Sequence, residues 1–199
     1  MTMVMTPDYK RMMIFVDGTN FLRELSKELE IAFRADKPPV ESLAIANSMT
    51  GHFFDAYGVV KIRKYWFSSY QGNEEYHDQL AKQLRSNDFE PVLFKKKEDR
   101  EREKGVDIAL AKEMLVNSFN QNFDIGVLIA GDEDYVGLVT EVKRYGPIVW
   151  GSFFSHGLSE KLRIVFDRFI DIVEYNHHYL NSQEYKNCVE AIRSSYSPR

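Results

Sequence analysis

Aspartates at three separate places are the residues of this chain whose types and positions could perform chemistry. Asp17 follows the apolar run MMIFV directly, and Asp132 and Asp134 follow the apolar run VLIA after a single glycine. Asp107 lies in the first turn of a helix that is predicted to follow a block of charged residues. A carboxylate at the end of a buried segment is costly unless it is paired or bound to a cation.

Carboxylate oxygens are the ligands that hard divalent cations such as Mg²⁺ and Mn²⁺ prefer. Four aspartates can hold one or two such ions, and two ions about 4 Å apart can activate water and stabilise the leaving oxygen in phosphodiester cleavage. Ordinary structural roles compete with this interpretation at every position. Asp17 could be a turn residue, Asp132 or Asp134 could cap a helix, and Asp107 could interact with the helix dipole.

The segments that must position these acids alternate between apolar strands and amphipathic helices. We predict strands at residues 12–16, 59–67, 91–94, 125–130, 148–154 and 170–173, and helices from residue 21 and at residues 40–58, 76–84, 106–119, 135–145 and 158–169. Continuous apolar strands that alternate with helices are typical of an α/β fold whose parallel sheet is covered on both faces.

Ligands of such sheets bind at the carboxyl ends of the strands, where three of these acids are predicted to lie. Asp107 is expected there too, pointing inward together with Leu110, Ala111 and Met114 at i+3, i+4 and i+7. Four aspartates are therefore expected at one edge of one sheet. Such a cluster is more readily explained by a metal site than by four unrelated structural roles.

Several other functional classes lack their motifs. An EF-hand is excluded because Val136 stands where the third ligand belongs and no closing Glu follows. A zinc site is not expected, because the chain has one cysteine, Cys188. Its histidines also lack the paired spacing of zinc ligands, apart from two adjacent ones in the tail. The dinucleotide fingerprint, the Walker A sequence and the nucleophile elbow are missing. The VDGTN segment fails as a phosphatase motif because Phe15 replaces the nucleophilic aspartate.

Length and composition predict one domain, residues 1–174, followed by a polar and partly helical tail, residues 175–199. No apolar run approaches the ~18 residues of a membrane span, and the N-terminal segment lacks a signal-peptide pattern. A single cysteine excludes an internal disulfide framework and fits a reducing compartment, so we expect a cytoplasmic location. The net charge of −4 argues against a uniformly basic surface and leaves room for a local basic groove.

Four segments occur in an order that resembles the NYN domains, which have the PIN-like fold of metal-dependent ribonucleases. These segments are FVDGTNF, KGVDIALAKEML, VLIAGDEDYVGLVTEVKRYG and LSEKLRIVFDRFIDI, and the similarity runs from Met12 to Val173. The resemblance implies a three-layer α/β sandwich with a central, mainly parallel sheet, of PIN-like or Rossmann-like type. It also implies an acidic site for Mg²⁺ or Mn²⁺ and RNA as the substrate.

The same resemblance assigns roles to individual residues. The first acid of the family falls on Asp17 and its nearby asparagine on Asn20, the Gly-Val-Asp acid on Asp107, and the Gly-Asp-x-Asp pair on Asp132 and Asp134. The aspartates are expected to bind metal, and Asn20 to orient a ligand or the scissile phosphate.

Three departures from the family pattern lie close to these positions. Ala130 replaces a frequent serine, Tyr135 replaces a frequent phenylalanine, and Pro147 replaces a basic or polar residue. All four acids are retained, so the sequence gives no reason to expect an inactive protein.

Candidate RNA-binding residues lie in a charge block from Lys95 to Lys104 and at the end of the second strand. The block has a net charge of +2, and we predict that its lysines, Lys95, Lys96, Lys97 and Lys104, bind phosphates. Tyr70 is the candidate for stacking on a base of single-stranded RNA. A solvated loop and ordinary packing are the competing interpretations.

The leading hypothesis is a metal-dependent ribonuclease that hydrolyses RNA phosphodiester bonds at a four-aspartate site. The alternative is a noncatalytic RNA- or protein-binding regulatory module that retains the acidic metal pocket. A weaker third hypothesis is a DNA nuclease or a phosphatase acting on nucleotides. The sequence leaves open whether the chain acts as a monomer or as a homo-oligomer.

Overall fold

The fold is built on a parallel β-sheet. The computed structural model describes residues 9–51, 58–96 and 104–196. In this part of the chain the strands are β1 (Lys10–Asp17), β2 (Val59–Tyr70), β3 (Glu90–Lys95), β4 (Ile125–Ile129), β5 (Ile148–Phe153) and β6 (Arg168–Asp171). They form one sheet in the order β3-β2-β1-β4-β5-β6, and every neighbouring pair is parallel.

Helices connect the strands and extend the chain beyond the sheet. They are α1 (Gly18–Glu28), α2 (Val40–Gly51), α3 (Glu74–Ser86), α4 (Lys104–Phe119), α5 (Val136–Arg144), α6 (Glu160–Arg163), α7 (Ile172–Tyr175), α8 (His177–Leu180) and α9 (Gln183–Tyr196). Short 3₁₀ turns are formed by Glu133–Tyr135 and Ser155–Gly157.

Both faces of the sheet are buried, because alternate residues of a strand point to opposite faces. On β1, Ile14 and Val16 pack with α1, α2 and α3, whereas Met13 and Phe15 pack with α4 and α5. The predicted three-layer α/β sandwich is therefore confirmed, and its sheet is parallel throughout the described strands.

The predicted helix at residues 158–169 is wrong in its second half. Helix α6 ends at Arg163, Ile164 is 72% exposed, and Arg168–Asp171 pairs with β5 as a strand. The backbone N–H of Val149 donates to Asp167 Oδ2 at 2.8 Å just before the strand begins. Hydrogen bonding to the open edge of β5 therefore outweighs the helical spacing of apolar residues in this segment. The last strand begins and ends two residues earlier than predicted.

The C-terminal segment forms a helix that packs on the body of the protein. Val189 and Ile192 of α9 are buried in the same core as Leu43 and Ile45 of α2. Within the described residues the predicted tail forms α8 and α9, and one face of α9 is apolar and contributes to the core. No helix in the described ranges has the length and apolar character that crossing a membrane requires.

The strand order identifies the place where a ligand is expected to bind. From β1 the chain builds outward to β2 and β3, then returns to the other side of β1 with β4. In open α/β sheets, ligands occupy the crevice at such a switch point, outside the carboxyl ends of the strands. Asp17 is the last residue of β1, and Asp132 follows the end of β4 by three residues.

Candidate metal centre

Asp17 is both the end of β1 and the N-cap of α1. Its Oδ1 accepts a hydrogen bond from the backbone N–H of Asn20 at 2.9 Å, which satisfies one of the unpaired amides at the helix start. The Asp17 side chain is only 5% exposed. Its capping role uses one carboxylate oxygen, and Tyr135 contacts the other.

The Tyr135 hydroxyl joins two of the predicted metal ligands. Tyr135 Oη lies 2.9 Å from Asp17 Oδ2 and 3.1 Å from Asp107 Oδ1. Burial, followed by the charges of the two aspartates, raises the pKa of the Tyr135 phenol far above its ordinary value, so the hydroxyl keeps its proton. Sequence reasoning treated Tyr135 only as a replacement for phenylalanine and missed this role.

Asp107 lies in the first turn of α4 and is exposed, which corrects the prediction that it points inward. The stripe of α4 that packs on the sheet consists of Val106, Leu110 and Met114. Asp107 lies at the margin of this stripe, at the end of the helix nearest the carboxyl edge of the sheet. Its contact with Tyr135 directs one oxygen towards Asp17 without burying the whole side chain.

Asp132 and Asp134 are exposed residues of the turn that follows β4. Asp132 Oδ1 accepts a hydrogen bond from the backbone N–H of Asp134 at 3.1 Å and so caps the short 3₁₀ turn. The intervening Glu133 forms an ion pair with Lys161, with Oε2 and Nζ 3.2 Å apart. Glu133 therefore points towards α6.

Asn20 holds the turn after β4 against α1. Its Oδ1 accepts a hydrogen bond from the backbone N–H of Gly131 at 2.8 Å. On the other side of the turn, the Gly131 carbonyl accepts from Ser159 N at 2.8 Å. A Cβ at residue 131 would lie 2.1 Å from the Gly157 carbonyl oxygen, so only glycine fits there. The observed role of Asn20 is to position the turn, and its role towards phosphate stays a prediction.

The four aspartates share one edge of the sheet without forming a closed cage. Asp17 and Asp107 are brought together by Tyr135, and Asp107 and Asp134 border one groove. Nowhere in the described ranges do three His, Cys, Asp or Glu side chains form a group close enough to hold a metal ion. Mg²⁺ usually keeps several waters and uses one or two carboxylates together with substrate phosphates, so an open set of carboxylate oxygens fits this ion or Mn²⁺.

The predicted RNA-binding lysines differ in their surroundings. Lys95 is exposed at the end of β3, on the carboxyl edge of the sheet. Lys96 is half-buried, and its Nζ lies 3.2 Å from Asp36 Oδ2, so it forms an internal ion pair. Lys97 lies outside the described residues. Lys104 begins α4, and its side chain also lies outside them.

Tyr70, the candidate for stacking on RNA, is buried in this structure. Its side chain is 7% exposed and belongs to the core on the α1 side of the sheet. The ring packs against Tyr76 and His77 of α3, with centroids 6.4 Å and 5.2 Å away. The Tyr70 ring is therefore part of the packed core in this structure.

Comparison with known proteins places this architecture in a family. A family model described as the NYN domain matches residues 11–176, which run from the second residue of β1 to just beyond α7 and include all five predicted catalytic residues. The chain belongs to the NYN domain family. NYN domains are generally PIN-like nucleases, so the family indicates a nuclease-type function.

The other comparisons are less informative about this NYN domain. No curated protein matches the chain. Its fold is similar to a crystal structure of a protein of unknown function from Vibrio parahaemolyticus, with a TM-score of 0.60 and 18% sequence identity. That match covers 84% of this chain and 95% of the other, and it shows the fold alone.

Proposed function

We propose that this NYN domain is a metal-dependent ribonuclease that hydrolyses RNA phosphodiester bonds. Asp17, Asp107, Asp132 and Asp134 would hold Mg²⁺ or Mn²⁺ through carboxylate oxygens. The observation that carries the proposal is the Tyr135 hydroxyl, which draws carboxylates from β1 and α4 together at the switch point of the sheet. Membership of the NYN family, whose members are generally nucleases, supports the same chemistry.

We assign a separate role at this site to each of the predicted residues. A bound divalent ion supplies activation of water and charge stabilisation at the leaving oxygen. Asp17 and Asp107 contribute oxygens whose positions Tyr135 fixes. Asn20 holds the turn that carries Asp132, and we assign its side-chain amide NH2 to a ligand or the scissile phosphate. At the same edge, Lys95 attracts the RNA backbone.

Cleavage of a panel of single-stranded and structured RNAs, with Mn²⁺ and then with chelator, tests the proposal. We expect cleavage by the wild type that is abolished by chelator and falls at least about 100-fold in Asp132→Asn, because stabilisation of charge in the transition state is lost. Glu133→Gln is the matched control, since Glu133 is paired with Lys161, and it should cleave like the wild type. Activity that survives chelator or Asp132→Asn would remove the mechanism.

Metal binding can be tested separately by its effect on stability. An ion that binds only the folded chain adds roughly 2.7 kcal/mol at ~100 times its dissociation constant. We expect the melting temperature of the wild type to rise with Mn²⁺ and to rise little in Asp17→Asn or Asp132→Asn. If Asp132→Asn gains as much as the wild type, these acids do not form the metal site. Stabilisation by Mn²⁺ without cleavage of any RNA would instead favour a noncatalytic binding module.

A further inference from the structure

An apolar groove runs between α4 and α5 and opens beside the candidate metal centre. It has a volume of about 330 Å³, which lies in the range of small-molecule sites. Its length is lined by Ile108, Ala111, Leu115, Gly137, Leu138 and Glu141. Asp107, Asp134 and Tyr135 also border it, so the groove and the acidic site share residues.

The groove exists because α4 has a second apolar stripe beside the one that packs on the sheet. Ile108, Ala111 and Leu115 follow each other at i, i+3 and i+7 and therefore share a face of the helix. Ile108, which directly follows Asp107, is 67% exposed even though its side chain is apolar. On α5, a Cβ added to Gly137 would meet no atom within 4 Å. The glycine thus leaves the space opposite this second stripe open.

The charges around the groove restrict what can occupy it. Both helices lead away from the carboxyl edge of the sheet, and Glu141 lies about 9 Å along α5 from Tyr135 at 1.5 Å per residue. Acids therefore stand at both ends of an apolar surface, and they disfavour a phosphate inside it.

A nucleobase satisfies these conditions. It is flat and largely apolar on its faces. Adenine and cytosine, like guanine, carry an exocyclic amine that a carboxylate can accept from, whereas uracil has no exocyclic amine and offers only its ring N3–H. The Glu141 side chain is held by Arg144, with Nη1 and Oε2 3.0 Å apart. RNA whose phosphate lies at the aspartates could place the adjacent base in the groove, since Asp107 and Asp134 border both.

We propose that the groove between α4 and α5 binds the base of the nucleotide next to the cleaved phosphate, with adenine and cytosine preferred over uracil. This inference rests on the proposed ribonuclease function. Glu141 is the residue that sets the preference, by accepting a hydrogen bond from the exocyclic amine, and Ile108 and Leu138 pack on the faces of the base.

Binding and cleavage of labelled oligoadenylate, oligocytidylate and oligouridylate, each about eight nucleotides long, test the inference. For the wild type we expect oligoadenylate and oligocytidylate to bind at least about 5-fold more tightly than oligouridylate. Glu141→Gln should bring the three affinities within about 2-fold, because an amide can also donate to the uracil carbonyl. A wild type without preference, or a preference unchanged in Glu141→Gln, would overturn the assignment of Glu141.

Filling the groove tests the site itself. Gly137→Leu places a side chain in open space, and we expect oligoadenylate to bind at least about 10-fold more weakly while the rise in melting temperature with Mn²⁺ is kept. Ile108→Ser, at an exposed position, should weaken binding in the same direction. Thr140→Leu on the exposed face of α5 is the control and should bind like the wild type.

The outcomes separate this inference from the function on which it rests. A wild type that neither cleaves RNA nor is stabilised by Mn²⁺ contradicts the proposed function. Cleavage by the wild type with unchanged binding and KM in Gly137→Leu and Ile108→Ser overturns the base site alone. A wild-type dimer that Gly137→Leu dissociates in sedimentation would show that the groove is a protein interface and would also overturn it.

Discussion

The hydroxyl of Tyr135 lies 2.9 Å from Oδ2 of Asp17, which joins the turn after β4 to the last residue of β1. The same hydroxyl lies 3.1 Å from Asp107. A phenol has one proton to donate, so two carboxylates compete for it. Tyr135 thereby holds two acids close together in a region where their charges would otherwise drive them apart.

Removal of this hydroxyl is expected to destabilise the protein. Tyr135→Phe keeps the ring in the core and deletes the hydrogen bonds to Asp17 and Asp107. Since hydrogen bonds to charged groups contribute about 1.5–3 kcal/mol, the free energy of unfolding with chelator present should fall by about that amount. Urea unfolding measures it. Tyr145→Phe, at a 40% exposed position, should change stability by less than about 0.5 kcal/mol. Equal effects of the two substitutions would contradict the role of Tyr135.

The contact between Asn20 and Gly131 should be important for both stability and metal binding. Asn20→Ala leaves the buried N–H of Gly131 without its acceptor, which costs about 1–3 kcal/mol. Because the turn with Asp132 is then less well held, stabilisation by Mn²⁺ should also decrease. Asn181→Ala removes an exposed side-chain bond to the backbone and serves as the control for thermal melts with and without Mn²⁺. An Asn20→Ala protein with wild-type stability would show that the turn is held by other contacts.

Lys64 should make stability depend on pH. It is 2% exposed in β2, its Nζ donates to Asn47 Oδ1, and it lies 4.0 Å from the centroid of Phe89. Burial, followed by repulsion from Lys61, lowers the pKa of Lys64 to about 7. In the unfolded chain the pKa is about 10.4, so between pH 7 and pH 10 the unfolded state binds more protons and stability rises with pH.

The matched comparison for this effect is Lys64→Met, which keeps much of the side-chain volume without the charge. We compare the unfolding free energy of Lys64→Met minus that of the wild type. This difference should fall by about 1 kcal/mol for each pH unit from 7 to 10, because the wild type gains stability over this range. Other titrating groups cancel in the difference. Parallel pH profiles of the two proteins would show that Lys64 is not neutralised on folding.

Helix α9 should contribute to global stability. Ile192 is fully buried against the core next to α2, so Ile192→Ala should lower the free energy of unfolding by about 2–4 kcal/mol. Ile164→Ala, at a 72% exposed position, should change it by less than about 0.5 kcal/mol. Similar denaturation midpoints for the two variants would mean that α9 unfolds independently of the sheet.

Local patterns predicted the parts of the fold that depend on local chemistry. The apolar runs before Asp17 and Asp132 identified β1 and β4 and therefore the edge on which both residues lie. Strand pairing between segments that are distant in sequence could not be predicted from these local patterns. The segment from Ile164 to Asp171 has helical spacing, and only the open edge of β5 makes its end a strand.

The site was predictable as a set of acids but not as a geometry. Tyr135 and Asp17 are 118 positions apart, and no local signal announces that the hydroxyl of one reaches the carboxylate of the other. Tyr70 was expected to be accessible because it lies at the end of the second strand, at the carboxyl edge of the sheet. In the structure it belongs to the core, and the packing of α3 brings Tyr76 and His77 beside its ring.

The insertion of β4 beside β1 has a consequence for the order in which the chain becomes functional during synthesis. A chain that has been made only as far as β3 contains Asp17 and Asn20 but no Gly131, which lies 111 positions beyond Asn20. Until β4 arrives, one edge of β1 is an unpaired apolar strand, which is prone to aggregation. The pairing that shields this edge also delivers Asp132, so protection of the nascent sheet and completion of the acidic centre are a single late event.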